Sequence, residues 1–173
     1  DFKTHIEVIC YAESTDGIHF EKPSLGLCEF EGSTDNNIIL DGPKTRSFMP
    51  FRDDNPDCES DARYKAVAYE KMYEGLYAYK SVDGIHWSLI VDEPVITDGA
   101  FDSNNLAFWD AVRGEYREYH REFRPGEDSR GNHNGRDIKT SATKDFLKWP
   151  KPEWLGYTPG RVSELYTNGV HPY

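Results

Sequence analysis

The sequence lacks several features that define common classes of protein. No apolar run approaches the roughly 18–20 residues that a membrane-spanning helix needs. Its three cysteines, Cys10, Cys28 and Cys58, lie at long spacings with no CxxC pair, so they predict neither a disulfide framework nor a zinc site, and the compartment stays open. A glycine-rich phosphate loop, a GxSxG nucleophile elbow and an HExxH motif are also missing.

Basic residues are few as well. Twenty Lys and Arg stand against 31 Asp and Glu, which gives a net charge of −11. Because binding to phosphate backbones needs a basic surface, this balance excludes nucleic acid as a partner, whereas neutral substrates and metal ions remain compatible. Aromatic residues are abundant instead, with eleven Tyr, nine Phe and four Trp, and they indicate a core rich in rings.

One short motif occurs three times along the chain. It reads STDGIHF at Ser14–Phe20, SVDGIHW at Ser81–Trp87 and, more loosely, TKDFLKW at Thr143–Trp149. A similarity that returns at a spacing of about 60 residues is typical of repeat architectures. Asp-Gly between β-rich segments predicts a hairpin, in which the preceding serine can bond within the same corner. We therefore interpret the motif as structural and expect the chemistry elsewhere in the repeat.

The segments between these corners predict antiparallel strands. Residues 64–81 read as two strands around Tyr73–Gly75, and residues 106–123 as two more that turn at Val112–Gly114. Four short strands in each repeat, with no sustained helical periodicity, predict an all-β protein of the β-propeller class. The predicted repeat units cover about residues 1–34, 35–101 and 102–167, and another begins at 168–173.

Polar clusters precede the apolar segments of these units. The tract DNNIIL begins 19 residues after Asp16, and DSNNLAFW begins 19 residues after Asp83. We expect such clusters to meet around the axis of a propeller and to line a polar central pocket, although Asp and Asn also begin strands for purely structural reasons. The side chains concerned are Asp35, Asn36, Asn37, Asp102, Asn104, Asn105 and Asn168.

A resemblance to a known class follows from the tracts FDSNNLAFWD, YREYHREF and GRDIKTSATKDFLKW. Together they resemble the five-bladed β-propeller glycoside hydrolases, namely the clan of families 32, 43 and 68, and also family 130. Asp102 matches the acid of the Arg-Asp-Pro motif of family 32, but Phe101 and Ser103 replace its arginine and proline. The nucleophile motif of that family is not found. The resemblance implies two and a half to three four-stranded blades of a five-bladed ring, hence a partial chain.

The resemblance also implies a hydrolase that uses carboxylates. It makes Asp102 a transition-state stabiliser or acid/base partner, Asp35 a second catalytic acid and Glu164 the general acid. Arg121, Arg136 and His171 are then candidates for binding sugar hydroxyls or an acidic substituent. A non-catalytic carbohydrate-binding or scaffold propeller, or an inactive fragment, is the alternative. Further blades or a second copy of the chain would complete the ring.

An acidic tract at Asp53–Asp61 alternates oxygen ligands as the start of a calcium loop does. An EF-hand loop needs Gly at its sixth position and Glu at its twelfth, where this sequence has Cys58 and Tyr64. We expect a solvated acidic loop and no cofactor, with a different kind of calcium site as the alternative.

Overall fold

The computed structural model of the chain describes residues 7–72, 74–126, 135–157 and 164–172. Within these ranges the chain forms ten β-strands and one 3-10 turn at Ser60–Ala62, and no α-helix. The strands are β1 (Val8–Cys10), β2 (Ile38–Asp41), β3 (Arg46–Arg52), β4 (Tyr64–Tyr69), β5 (Leu76–Ser81), β6 (Ser88–Leu89), β7 (Leu106–Asp110), β8 (Glu115–Phe123), β9 (Arg136–Thr143) and β10 (Glu153–Trp154). The all-β prediction is confirmed. No helix of the described residues is long and apolar enough to cross a membrane.

The strands form three antiparallel sheets. The first sheet pairs β1 with β2, the second has the order β3-β4-β5-β6, and the third has β7-β8-β9-β10. In both four-stranded sheets every strand pairs with its neighbours in sequence, which confirms the predicted hairpins between β4 and β5 and between β7 and β8. The turn into β5 requires Gly75: its φ is 136°, and a Cβ there would lie 2.6 Å from the Cβ of Pro94. Tyr73 lies outside the described residues.

The sheets stack face to face through two aromatic-rich cores. Because side chains alternate along a strand, the second sheet has two apolar faces. One face packs against the first sheet through Phe48, Ala66, Ala68, Tyr77 and Tyr79, with Ile9 and Leu40 from the first sheet. The other face packs against the third sheet through Val67, Tyr69, Leu76, Ala78, Ala107, Tyr116 and Phe146. The opposite face of the third sheet therefore points away from this core.

The first two corner motifs have the same hydrogen bonds, which confirms that the serine bonds within the corner and shows that the aspartate does so as well. In the second copy, Gly84 N donates to Ser81 Oγ at 2.9 Å, and the amides of Ile85 and His86 donate to Asp83 Oδ1 at 2.9 and 2.8 Å. His86 Nδ1 lies 2.7 Å from Asp83 Oδ2. These contacts, the backbone bond from His86 foremost, hold the pKa of Asp83 well below its usual range.

The third corner follows the same plan with different residues. Asp145 N donates to Thr143 Oγ1 at 3.1 Å, Leu147 N donates to Asp145 Oδ1 at 3.0 Å, and Lys148 takes the place of the histidine. The aromatic residue that ends the motif packs against a core as Trp87 and Trp149, whereas Phe20 is mostly exposed. The repeated motif is thus accounted for by local structure.

Asp83→Asn is expected to lower the free energy of unfolding by about 1 kcal/mol at pH 7, because neutral acceptors bind amide donors more weakly than a carboxylate does. The folded pKa lies below the unfolded value of about 3.9, so this stability is present above that pH and is lost as the pH falls below it. Urea unfolding at pH 7 and pH 3 should show the difference between wild type and variant shrinking at pH 3. Asp16→Asn, in the more exposed first corner, is the matched control and should have a smaller effect; equal stability of Asp83→Asn and wild type at pH 7 would contradict the prediction.

Candidate functional site

Two arginines lie on the face of the third sheet that points away from the core. Arg121 on β8 pairs with Ile138, and Phe123, two residues further along β8, pairs with Arg136 on β9. Side chains two residues apart on a strand, and directly opposite on its partner, share one face. Arg121, Phe123 and Arg136 are therefore neighbours on this face.

Each arginine forms an ion pair with one of the predicted catalytic acids. Arg121 pairs with Asp102, which lies just before β7, and Arg136 Nη1 lies 2.9 Å from Glu164 Oε2. The Arg121 side chain is only 1% exposed, whereas those of Asp102 and Glu164 are 31% and 54% exposed. Both carboxylates are thus oriented by a guanidinium and still reach solvent.

Two aromatic rings connect these ion pairs. The guanidinium carbon of Arg121 lies 5.2 Å from the ring centre of Phe123 and 4.9 Å from that of Tyr166. For Arg136 the same two distances are 5.7 and 5.2 Å, within the range of cation–π attraction. We call Asp102, Arg121, Phe123, Arg136, Glu164 and Tyr166 the double-arginine cluster. The shared rings bring Asp102 and Glu164 into one site.

Asparagines attach the segment 164–172 to this site. Asn168 Nδ2 donates to the carbonyl of Asn104 at 3.0 Å and to that of Tyr119 at 3.3 Å, and Asn104 N donates to Thr167 Oγ1 at 3.3 Å. Within the loop before β7, Asn105 Nδ2 donates to the carbonyls of Phe101 and Ser103 at 2.7 and 3.0 Å. The predicted binding residues Asn104, Asn105 and Asn168 thus support the chain around the acids.

Several buried polar atoms around the cluster have no hydrogen-bond partner. They are a donor, Arg121 Nε, and two acceptors, Asn105 Oδ1 and Asn168 Oδ1, together with the hydroxyl of Ser103. The amide oxygens are assigned by geometry, because both amide nitrogens already donate to carbonyls. A buried polar group without a partner is costly and is rare in folded proteins. The loop before β7 and its surroundings therefore contain hydrogen-bond donors and hydrogen-bond acceptors that a ligand could engage.

The predicted acid Asp35 lies elsewhere. The backbone amide of Asp35 donates to Ser33 Oγ at 3.0 Å, in the connection that leads to β2. Asn36 Nδ2 donates to the carbonyl of Cys28, and Asn37 Nδ2 to that of Tyr11. These three residues fix the connection to the first sheet, and none of their hydrogen bonds reaches the double-arginine cluster.

Strand register explains this difference. Tyr64 on β4 pairs with Ser81 of the second corner, and Tyr116 on β8 pairs with Thr143 of the third, so the two tyrosines are equivalent. Their partners on the preceding strands are Arg52 on β3 and Trp109 on β7. Counting back along each strand, and allowing for the one-residue register shift between Arg46 and Met49, the position equivalent to Asp102 is Lys44.

The equal spacing of 19 residues therefore did not mark equivalent positions. The strand that corresponds to β7 is β3, whereas the apolar tract after Asp35 forms β2 and pairs with β1 in the first sheet. A catalytic role for Asp35 stays a prediction that the strand register does not support.

The predicted binding residue His171 also lies apart from the acids. It is exposed and borders a cleft of about 420 Å³ that includes Phe108 and Tyr119, whose rings stack with centres 6.1 Å apart. Trp109, which borders the same cleft, packs edge-on against Tyr116 with ring centres 4.8 Å apart. Tyr166, by contrast, is exposed and belongs to the double-arginine cluster.

The first aspartate of the acidic tract, Asp53, lies in the protein interior. Asp53 is buried, pairs with Lys65 and accepts a hydrogen bond from Tyr116 Oη at 2.7 Å. Burial of the phenol, together with that bond, raises the pKa of Tyr116. Asp61 is exposed, and its contact with Lys80 holds its pKa low. In the described ranges no group of three or more His, Cys, Asp or Glu is placed to hold a metal ion.

Sequence reasoning did not find the role of Phe123. The signal was present, because Arg121 and Phe123 are separated by one residue on a predicted strand and must share a face. The sequence could not show that Arg136 on β9 and Tyr166 in the segment 164–172 complete the arrangement.

Comparison of the chain with protein-family models, curated proteins and solved structures finds no match.

Proposed function

We propose that the stacked sheets are blades of a five-bladed β-propeller and that the double-arginine cluster is its carbohydrate site. Two observations support the propeller. The first strands of the two four-stranded sheets, β3 and β7, lie side by side, as the innermost strands of neighbouring blades do. Residues 167–168 bond to the loop before β7, which puts a third segment beside the same end of the sheet. Further blades, or a second copy of the chain, would complete the ring.

The mixture of unpaired buried donors and acceptors is the observation that carries the carbohydrate proposal. A hydroxyl group donates and accepts, so a polyhydroxylated ligand can satisfy Arg121 Nε as well as the oxygen of Asn168. A ligand with acceptors only, such as a phosphate, would leave the amide oxygen without a partner. The ion pairs of Arg121 and Arg136 already balance both guanidinium charges, and the net charge of −11 disfavours anionic ligands.

The proposed activity is hydrolysis of a glycosidic bond. Glycosidases generally use two carboxyl groups on opposite sides of that bond, one of which protonates the leaving oxygen. Glu164 is the more exposed of the two acids and is our candidate for the proton donor: its carboxylic acid form gives a proton to the leaving oxygen, and Arg136 then pairs with the carboxylate that results. Asp102 is our candidate for stabilising positive charge on the sugar ring. Tyr166 presents an exposed ring on which a sugar can stack.

A non-catalytic carbohydrate-binding propeller is the second candidate. One observation favours it: Asp35, the third predicted acid, bonds within the connection to β2 and makes no contact with the cluster. Both carboxylates of the cluster are held in ion pairs, which suits a binding site as well as a catalytic one. The two candidates differ in a measurable way, since only one of them predicts turnover.

The test is a panel of 4-nitrophenyl glycosides and neutral oligosaccharides, assayed for release of product and, by calorimetry, for binding. Glu164→Gln is expected to reduce turnover of any substrate by about 10²–10⁴-fold, the usual contribution of a general acid. Asp102→Asn should reduce it by a similar factor, with thermal unfolding checked because Arg121 loses its partner. Glu153→Gln, an exposed change on β10, is the matched control and should leave turnover intact.

The outcomes separate the proposals. Turnover that needs Glu164 supports the hydrolase. Binding without turnover, weakened by Asp102→Asn, supports the binding module. If neutral sugars neither bind nor are hydrolysed while an acidic sugar or a phosphate binds, the carbohydrate site as argued from its donors and acceptors is wrong.

A further inference from the structure

The loop that precedes Asp102 is held against β8 from two sides. Ala100 N donates to the carbonyl of Arg121 at 2.9 Å, and His120 Nε2 lies 2.9 Å from the carbonyl of Asp98. Gly99 between them packs on the imidazole so closely that a Cβ would lie 2.5 Å from its Cδ2 atom. The loop therefore fits directly onto the His120 ring.

Both nitrogens of His120 are engaged, and the ring is completely buried. A carbonyl oxygen can only accept, so Nε2 carries the proton of the bond to Asp98. Nδ1 lies 2.7 Å from Glu118 Oε2, and the other carboxylate oxygen of Glu118 accepts from Ser141 Oγ at 2.7 Å. With both ring nitrogens occupied, His120 is not free to exchange protons with a ligand.

The charged groups that face the ring are Glu118 and the pair of Lys139 with Asp98. Glu118 is 1% exposed, and in the described residues it forms no ion pair with a lysine or an arginine. Lys139 is paired with Asp98, their Nζ and Oδ1 atoms lying 2.7 Å apart, and this contact lowers the pKa of Asp98. The buried carboxyl group of Glu118 is thus held in place by His120 Nδ1 and by Ser141 Oγ.

We propose that His120 is a positioning residue, which fixes the loop 98–102 through its bond to the Asp98 carbonyl and thereby sets the place of Asp102 beside Arg121. His120 and Arg121 are adjacent on β8 and point to opposite faces, so one short stretch of this strand holds the loop by a side chain, by a backbone carbonyl and by an ion pair. The geometric part of the inference stands on the contacts alone. Its consequence for ligand binding rests on the function proposed above.

Two substitutions separate positioning of the loop from contact with Glu118. The amide nitrogen of His120→Gln can take the place of Nε2 and keep the bond to Asp98, but it loses the contact of Nδ1 with Glu118. The shorter His120→Asn can reach only toward Glu118 and loses the bond to Asp98. If His120 positions the loop, the asparagine variant disturbs the loop more. If the histidine serves only to hold Glu118, the glutamine variant, which loses that contact, is the worse.

The readouts need no ligand. For His120→Asn we expect amide hydrogen exchange of residues 99–103 to rise about ten-fold or more, because the loop loses a hydrogen bond to a buried group. We also expect the NMR resonance of Arg121 Nε–H to move, because the same guanidinium group pairs with Asp102. His120→Gln should keep both signals close to those of the wild type even if its midpoint of unfolding falls.

Gly99→Ala gives an independent test that removes no polar group. Its methyl group must displace the loop from the His120 ring, so the same Arg121 resonance should move. An unmoved resonance in both His120→Asn and Gly99→Ala, or a larger change in His120→Gln than in His120→Asn, would overturn the inference.

Where a neutral sugar from the panel binds the wild type, His120→Asn should weaken binding of that sugar about ten-fold, whereas His120→Gln should not. Failure of every sugar to bind would refute the proposed function but not the positioning role of His120.

Discussion

Replacing Lys65 with methionine is expected to lower the free energy of unfolding by about 3–5 kcal/mol, because removal of one partner from a buried ion pair leaves the other charge uncompensated. The side chains of Lys65 and Asp53 are 8% and 0% exposed. The ammonium group also lies 5.6 Å from the ring centre of Tyr116 and 5.8 Å from that of Phe146. Its loss therefore removes a charge pair and two cation–π contacts between the second and third sheets.

The measurement is urea unfolding at pH 7, with Lys80→Met as the matched control. Lys80 pairs with Asp61 at an exposed site, where an ion pair contributes at most about 1 kcal/mol. The double variant Lys65→Met/Asp53→Asn should recover part of the loss, since it leaves no buried charge behind. If the two lysine substitutions lower the free energy of unfolding by similar amounts, the buried Lys65–Asp53 ion pair contributes no more to stability than the exposed pair does.

Replacing Arg121 with methionine is expected to cost about 2–3 kcal/mol. The substitution leaves Asp102 without its partner and removes the cation from between Phe123 and Tyr166. The effect is smaller than at Lys65 because the side chain of Asp102 is 31% exposed and water can solvate part of the remaining charge. Unfolding of the single variants Arg121→Met and Asp102→Asn and of the double variant forms a thermodynamic cycle.

A coupling of more than about 1 kcal/mol is expected in that cycle, since the two side chains are in direct contact. If the two stability changes simply add, Arg121 stabilises the fold through its packing and not through its ion pair with Asp102. The cycle also controls the activity assay, because it separates the loss of a catalytic carboxylate from the loss of a stabilising ion pair.

The corners and hairpins of the fold could be predicted from sequence because their causes are local. All the donors and acceptors that form the hydrogen bonds of the corner at Ser81–Trp87 lie within that stretch itself. The strands on either side follow from alternation and from a turn residue such as Gly114. Such features need no information from other parts of the chain.

The site was only partly predictable because its contacts span many residues. The sequence identified Asp102, Arg121, Arg136 and Glu164 as candidates, and the structure joins them in two ion pairs. It could not show which acid meets which arginine, since the partners are 19 and 28 residues apart and lie on different elements. The choice of Asp35 had a similar limit, because equal counts along a connection of variable length carry no information on strand register.

The order of the strands has a consequence for the kinetics of folding. In both four-stranded sheets each strand pairs only with the strand before or after it in the chain. Short loops must close before such pairs form, and the entropic cost of closing them is small. Each sheet can therefore assemble early and separately, whereas the bond from Tyr116 to Asp53, which joins residues 63 positions apart, can form only when two finished sheets meet. We expect Lys65→Met to speed unfolding more than it slows folding.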